Sequence, residues 1–268
     1  MSDDAALETG WSASTPPGDS IESDFLRCWA ERIRSFARAG AAPLVDDDGV
    51  TLAVLSTRTF WGNLGVVRRP DQDPQELARR LAAALPPGAP VALFSPWPLL
   101  DLGAIGFQSQ GFPPLMVRPP GAGAVEVPDG ITVTEATDPA ALAEWEQTLI
   151  EAYPTPGADV EPPLTLFPAG VLGSSTRFWT AHRGGRAVAT AASHVGHGVV
   201  DVEFVATRDE ERGRGVGAAV TWAATAADTS LPAVLVASDP GRSVYERLGY
   251  LTTRRWRFWA GAVGPGGA

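Results

Sequence analysis

The chain has 268 residues, 44% of them hydrophobic, and a formal net charge of −10, a length that accommodates one large domain or two small ones. All 21 basic residues are arginine, against 31 acidic ones, so a long phosphate backbone is repelled and non-specific nucleic-acid binding is not expected. Cys28 is the single cysteine and there are three histidines, which excludes an internal disulfide and a thiolate zinc site, fits a reducing compartment, and leaves too few ligands for most catalytic metal centres.

No apolar run reaches the ~18 residues that span a bilayer, and the start MSDDAALETG lacks the basic and apolar regions of a signal peptide. A cytoplasmic protein with no membrane partner is expected. Residues 1–20, rich in Ser, Asp, Thr, Pro and Gly, read as a disordered arm, and 263–268 as a flexible tail. Pro and Gly crowd again in PPGAGAVEVPDG, so residues 119–129 are the expected linker between a first segment, 21–118, and a second, 130–262.

In the first segment, Phe25, Trp29, Ile33 and Phe36 recur at helical spacing and predict a helix over 21–39. Strands are expected in VTLAVLS, NLGVVRR and PVALFS, with a helix in DPQELARRLAAAL between the last two. The second segment repeats the alternation. GITVTEA reads as a strand and PAALAEWEQTLIEAY as a helix, followed by a Pro-rich loop over 154–168, longer than typical connections, whose Asp159 and Glu161 either face solvent or, if the loop borders an acceptor, attract a cationic amine. Three strands follow, split by Gly184-Gly185 and Gly196-His197-Gly198, which place His194 and His197 at a hairpin tip. Then come a helix in GRGVGAAVTWAATAAD, a strand in AVLVAS, a short helix in SVYERLG and one last strand in YLTTRRWRFWAG.

Residues 199–228 carry the most chemistry. A strand ends, a polar turn with two arginines follows, and glycines lead into a helix. Free N–H groups and the positive dipole at that helix start make an anion site, Gly215 and Gly217 admit a phosphate without a Cβ in the way, and Arg212 and Arg214 add charged donors. A pyrophosphate is the natural guest. GRGVGA also fits a dinucleotide fingerprint, with Asp239 at about the distance of the ribose-binding acid, so an NAD-dependent oxidoreductase stands as an alternative. The polar RDEER insert and the antiparallel look of the preceding strands weigh against it.

An RxxGxG loop at 212–217 followed by YxxxGY at 245–250, after a β-rich segment with an acidic strand, resembles the GNAT superfamily of acyl-CoA-dependent N-acyltransferases over roughly residues 130–260. The resemblance implies an α/β fold with a mixed, mainly antiparallel central sheet flanked by helices, and direct transfer of acetyl from acetyl-CoA as co-substrate to a primary amine of a small molecule or peptide, with no metal. It implies that Arg212, Gly213, Arg214, Gly215, Val216 and Gly217 cradle the pyrophosphate, that Val205 and Thr207 meet the acetyl and pantetheine groups through the backbone, and that Tyr245 is the general acid. Ser238 stands where many members have an asparagine that contacts the coenzyme; its reach is shorter.

The chemistry agrees with those roles. Acyl transfer needs a neutral amine, donors for a tetrahedral oxyanion, and a proton for a thiolate whose free pKa is about 8.5, which a phenol near pKa 10 can give. Strand alternation puts Val200, Val202, Phe204 and Ala206 on one face of VDVEFVAT and Asp201, Glu203, Val205 and Thr207 on the other. Glu203 is the first candidate for the base and Asp201 the second. Cys28 has no histidine nearby in sequence, which disfavours an acyl-cysteine route. Trp179 and Trp256 are candidates for an acceptor pocket or, better, for core. A non-catalytic acyl-CoA-binding or sensing module is the alternative from another class.

Residues 99–119 echo the end of the second segment, with a Gly-aromatic pair before a final strand. Aligning Gly106 with Gly249 puts Leu102 at the place of Tyr245, and RRPDQDPQEL at the place of the phosphate loop, where prolines remove donors and Asp71, Asp73 and Glu76 repel phosphate. A degenerate GNAT-like first domain without coenzyme is expected, a tandem arrangement, with an unrelated α/β domain as the alternative. No heptad or self-complementary strand marks an oligomer surface, and a homodimer stays open.

Overall fold

The structure, a computed structural model, describes residues 20–153 and 166–264. The expected arm, apart from Ser20, and the tail, apart from Val263 and Gly264, lie outside the described residues, as do Asp159 and Glu161.

The first helix, α1 (Ile21–Gly40), starts where the Ser20 side chain accepts from the Ser23 N–H and ends where Ala41 takes a left-handed φ of 49°. Phe25, Trp29, Ile33 and Phe36 on its inner face are all buried, each worth about 1.5–3 kcal/mol of burial. Then follow β1 (Leu44–Asp46), β2 (Val50–Ala53), β3 (Leu64–Val67), α2 (Pro74–Ala84), β4 (Pro90–Ser95), β5 (Gln108–Gly111) and β6 (Pro114–Arg118). The second segment contributes β7 (Ile131–Glu135), α3 (Pro139–Ala152), β8 (Thr176–Arg183), β9 (Arg186–Gly196), β10 (Val199–Thr207), α4 (Val216–Thr225), β11 (Ala233–Val236), α5 (Arg242–Arg247), β12 (Leu251–Arg255) and β13 (Arg257–Ala262).

These strands form two mixed, mainly antiparallel sheets, ordered β1-β2-β3-β4-β13-β5 and β12-β6-β11-β10-β9-β8-β7. Each has one parallel pair, β3 with β4 and β10 with β11, joined across α2 and α4 respectively. From β1 onward the first segment therefore repeats the strand and helix order of β8 onward in the second, with a single 3-10 turn, Gly103–Ile105, in the place of α5. The sheets do not divide at the linker 119–129. Strand β6 lies between β11 and β12, and β13 lies between β4 and β5, so each segment gives its last strand to the other's sheet. The stretch YLTTRRWRFWAG, expected as one strand, breaks at fully buried Trp256, whose N–H donates to Pro113 O at 2.9 Å. Val263, expected in the tail, is buried and its N–H donates to Ala89 O.

Helix α1 touches β2 and β3 of the first sheet and β9 and β10 of the second. Around it lies an aromatic core in which Trp29 packs on Trp256 at 5.7 Å between centroids and on Phe94 at 5.0 Å. On the same face of the second sheet α3 buries Trp145 and Leu149 with Phe178 and Phe204, while α4 covers the opposite face with Val216 and Val220 against Val200 and Val202. His194, expected at the hairpin tip, is instead a buried residue of β9, held to Thr176 Oγ1 at 2.7 Å; burial lowers its pKa to about 3. His197 does sit in the turn, with a φ of 49°.

Candidate active site

Strands β10 and β11 pair only at Val200 with Ala233 and Asp201 with Val234, then run on apart. Where they part, β10 carries a bulge: Glu203 faces Ala192 of β9 and Ala206 faces Thr190, one residue too many. Phe204 absorbs the extra residue at a φ of 54°. The bulge overturns the expected alternation. Val200 and Val202 pack toward α4, whereas Phe204 and Ala206 pack with Trp145 in the α3 core, leaving Val205 and Thr207 on the α4 side. Asp201 and Glu203 therefore do not share a face with Val205 and Thr207.

The opening between the strands holds two cavities. One, of about 510 Å³, is lined by Val205, Thr207, Arg212, Gly213, Gly215, Gly217, Ser238, Val244, Tyr245 and Arg247, among others. The other, of about 160 Å³, is reached past Tyr153, Val205, Ser238 and Tyr245, which line both, and has Glu203 on its wall.

At the far end of the larger cavity α4 begins. Helices α2 and α3 are capped by Asp73 and Asp138, whose carboxylates accept N–H groups of the first turn. By contrast, α4 follows Gly215 at a φ of 81° with no side-chain cap, and its first internal bond runs from the Ala219 N–H to Gly215 O. The N–H groups of Val216, Gly217 and Ala218 are thus left for a guest. Gly217 is required by a close approach, since a Cβ there would stand 2.9 Å from Thr207 Oγ1. Val216 points its side chain into the core, and Arg214 is exposed beside Glu211 at 3.9 Å. Arg212 braces the loop from Nε to Thr207 O and from Nη2 to Ala152 O. Glu211 also borders the groove, but both its oxygens accept from Arg183 Nε. These donors and this volume fit a coenzyme A pyrophosphate and pantetheine.

The topological counterpart of this helix start is the start of α2, where Pro74 has no N–H and Asp73 already accepts from Gln75 at 2.9 Å. Asp47, Asp48, Asp71 and Glu76 stand around it, with Arg69 and Arg80. Two of the first-turn donors are thus missing or taken, and the carboxylates outnumber the arginines, which disfavours a pyrophosphate there.

Tyr245 lies on α5, 8% exposed, with its pKa pushed up by burial and then by the Glu203 charge. It remains a phenol across the physiological range, with its proton in place to be given. Ser238 is exposed, and its Oγ accepts from the Gly241 N–H at 3.2 Å. Asp239, the acid of the dinucleotide alternative, is paired with Arg255 at 2.8 Å. Neither Trp179 nor Trp256 lines the smaller cavity.

Glu203 and Asp201 are governed by a residue the sequence reading missed. Arg32 of α1, 2% exposed, reaches across to the second sheet, with Nε donating to Asp201 Oδ2 at 2.7 Å and Nη2 standing 3.4 Å from Glu203 Oε1. Trp29, Phe36 and Phe204 rings surround the guanidinium at 5.4–6.0 Å. Asp201 is fully buried, absent from the cavity wall and tied to Arg32, an arrangement that suits support of Glu203 better than base chemistry. Burial raises its pKa and Arg32 opposes the rise. Glu203, with 13% of its side chain exposed, is pushed up to about 8 by burial, against the pull of Arg32 and with a push from Asp201. It can thus hold or take a proton near neutral pH. Cys28 is buried outside both cavities, and burial drives its thiol pKa upward.

The profile of the acetyltransferase (GNAT) family matches residues 141–250. None of the curated protein sequences matches the chain. Among solved structures, a GCN5-related N-acetyltransferase from Kribbella flavida aligns at a TM-score of 0.59 and 22% identity over 89% of this chain and 96% of that one. A putative acetyltransferase of the GNAT family from Novosphingobium aromaticivorans aligns at 0.55 and 16% over 86% and 96%. A functionally unknown conserved protein from Staphylococcus epidermidis aligns at 0.54 and 11% over 82% and 93%. At these identities the likeness is one of fold, and it extends over both segments. Among the described residues, no helix is long and apolar enough to cross a membrane, and no cluster of three His, Cys, Asp or Glu side chains is placed to hold a metal.

Proposed function

We propose that this chain, whose residues 141–250 match the acetyltransferase (GNAT) family, moves an acetyl group from acetyl-CoA directly to a primary amine. The observation that carries the reading is the junction of the two cavities at the split between β10 and β11, where Tyr245 lines both and Glu203 faces the smaller one. The uncapped α4 and the loop 212–217 hold the pyrophosphate, and the backbone of Val205 and Thr207 guides the pantetheine arm. Acetyl-CoA supplies a thioester carbon open to attack.

As the amine nitrogen bonds that carbon and the C–S bond breaks, one amine proton passes to the Glu203 carboxylate. The Tyr245 hydroxyl protonates the departing sulfur, and Glu203 and Tyr245 recover their starting states by proton exchange with solvent. N–H groups freed by the bulge are suited to the oxyanion. The first segment binds no coenzyme in this scheme; it supplies Arg32 and the far wall of the smaller cavity.

Thermal-shift titrations with acetyl-CoA, coenzyme A and NAD separate the classes, since filling a site to about 100 times Kd adds about 2.7 kcal/mol of stability. Acetyl-CoA and coenzyme A are expected to shift the protein and NAD is not. Tyr245→Phe is then expected to lower kcat about 10²-fold or more and leave coenzyme A binding unchanged. Binding without turnover on any amine would mark a sensing module instead.

A further inference from the structure

The smaller cavity, about 160 Å³, is close to the size at which an apolar protein hollow takes one benzene ring. Its far wall is aromatic: Phe60, Trp61, Phe94 and, on the exchanged strand β13, Phe258. Phe94 and Phe258 stack at 4.5 Å with ring planes 5° apart, and Trp61 meets Tyr153 edge-on at 5.0 Å. An aromatic wall results. Among the described residues, Glu203 is the one carboxylate on the wall, and neither arginine nor histidine lines it. All 21 arginines of the sequence fall within the described residues, so 1–19, 154–165 and 265–268 hold none to bring.

An acceptor with its own carboxylate or phosphate would bury that charge without a cation, and buried unpaired charge is strongly disfavoured. An alkylammonium, by contrast, meets Glu203. The pair enters as ammonium with carboxylate or as amine with carboxylic acid, the same total of protons, and loss of one proton from it leaves the neutral amine beside the carboxylate that takes the next.

Resting on the acetyl-transfer reading above, we propose that the acceptor is a primary amine with a compact apolar body, about one aromatic ring in size, and no acidic group. The first segment and β13 select it by enclosing the ring, while Glu203 takes the amine end.

The test uses the full chain with acetyl-CoA, reading thiol release and product mass for phenethylamine, L-phenylalanine, spermidine and a short peptide. Phenethylamine is expected to exceed L-phenylalanine, the same body with a carboxylate added, by about 100-fold or more in kcat/KM. In Phe60→Arg, at the half-buried rim of the cavity, phenethylamine should lose about tenfold while the ratio turns toward L-phenylalanine, with coenzyme A affinity by calorimetry unchanged. Transfer to L-phenylalanine, spermidine or the peptide as good as to phenethylamine would overturn this inference and leave the transfer reading standing. Absence of transfer to every amine would overturn that reading, and this inference with it.

Discussion

Replacing Arg32 with methionine strands Asp201 as a fully buried carboxylate without its guanidinium, 2.7 Å away in the native protein. Removing one member of a buried pair costs about 3–5 kcal/mol, against the roughly 5–15 kcal/mol that hold a typical domain together. The carboxyl can escape only by taking a proton. Its pKa in the folded variant then stands far above the unfolded value near ~3.9, so the stability of Arg32→Met is greatest at low pH and is lost as pH rises past that value. Urea unfolding followed by tryptophan fluorescence at pH 5 and pH 8 reads both the loss and its slope. A second change, Asp201→Val, removes the orphaned charge and should bring the double variant back to within about 1 kcal/mol of wild type, because apolar replacement of a whole buried pair is often neutral. Catalysis separates from stability here. The pull of Arg32 on Glu203 outweighs the push of Asp201, so the acid limb of kcat/KM, near pH 8 in wild type, should move upward in both variants. A single variant within about 1 kcal/mol of wild type, with an unmoved acid limb, would refute the view that α1 governs the carboxylates of β10.

Glu203→Gln is expected to lower kcat about 10²–10⁴-fold with coenzyme A affinity unchanged. Wild-type stability should fall as pH rises from about 4.5 toward 8, since folded Glu203 keeps a proton that the unfolded chain has released, and the Gln variant should show a flatter dependence in titrated urea midpoints. Gly215→Ala, at a φ of 81° with its new Cβ 3.1 Å from Pro128, should cost about 1 kcal/mol of local strain and weaken coenzyme A roughly five- to tenfold by calorimetry. Arg247, on the groove wall, should weaken coenzyme A several-fold as Arg247→Ala, more at low salt than at high salt; an effect independent of salt would exclude a phosphate contact.

Local chemistry made much of this molecule legible. Asp-Pro pairs announce α2 and α3, the glycines at 213, 215 and 217 announce the start of α4, and Pro74 with Asp73 argues against a phosphate site in the first segment. What could not be read depends on distant neighbours. YLTTRRWRFWAG contains no turn residue before its final glycine, so nothing local tells that Trp256 divides it between two sheets. The bulge at Phe204 lacks the glycine that usually advertises a positive φ, and so the two-residue alternation of VDVEFVAT misassigned the faces beyond Glu203. Arg32 did leave a trace: three residues after Trp29 and four before Phe36, a charge sits on an otherwise apolar helix face. Such a charge needs a buried partner, and only the fold shows that the partner is the acidic strand of the other segment. The aromatic wall is assembled from a loop, two strands and a helix end, at separations that periodicity does not reach.

One acyl-CoA site per chain is expected, built at α4 and opposed at α2. Calorimetric titration of the full chain with acetyl-CoA tests it most directly. A single site per chain is expected, weakened by Gly215→Ala and untouched by Asp73→Ala. Two sites per chain, or one that responds to Asp73→Ala and ignores Gly215→Ala, would contradict it.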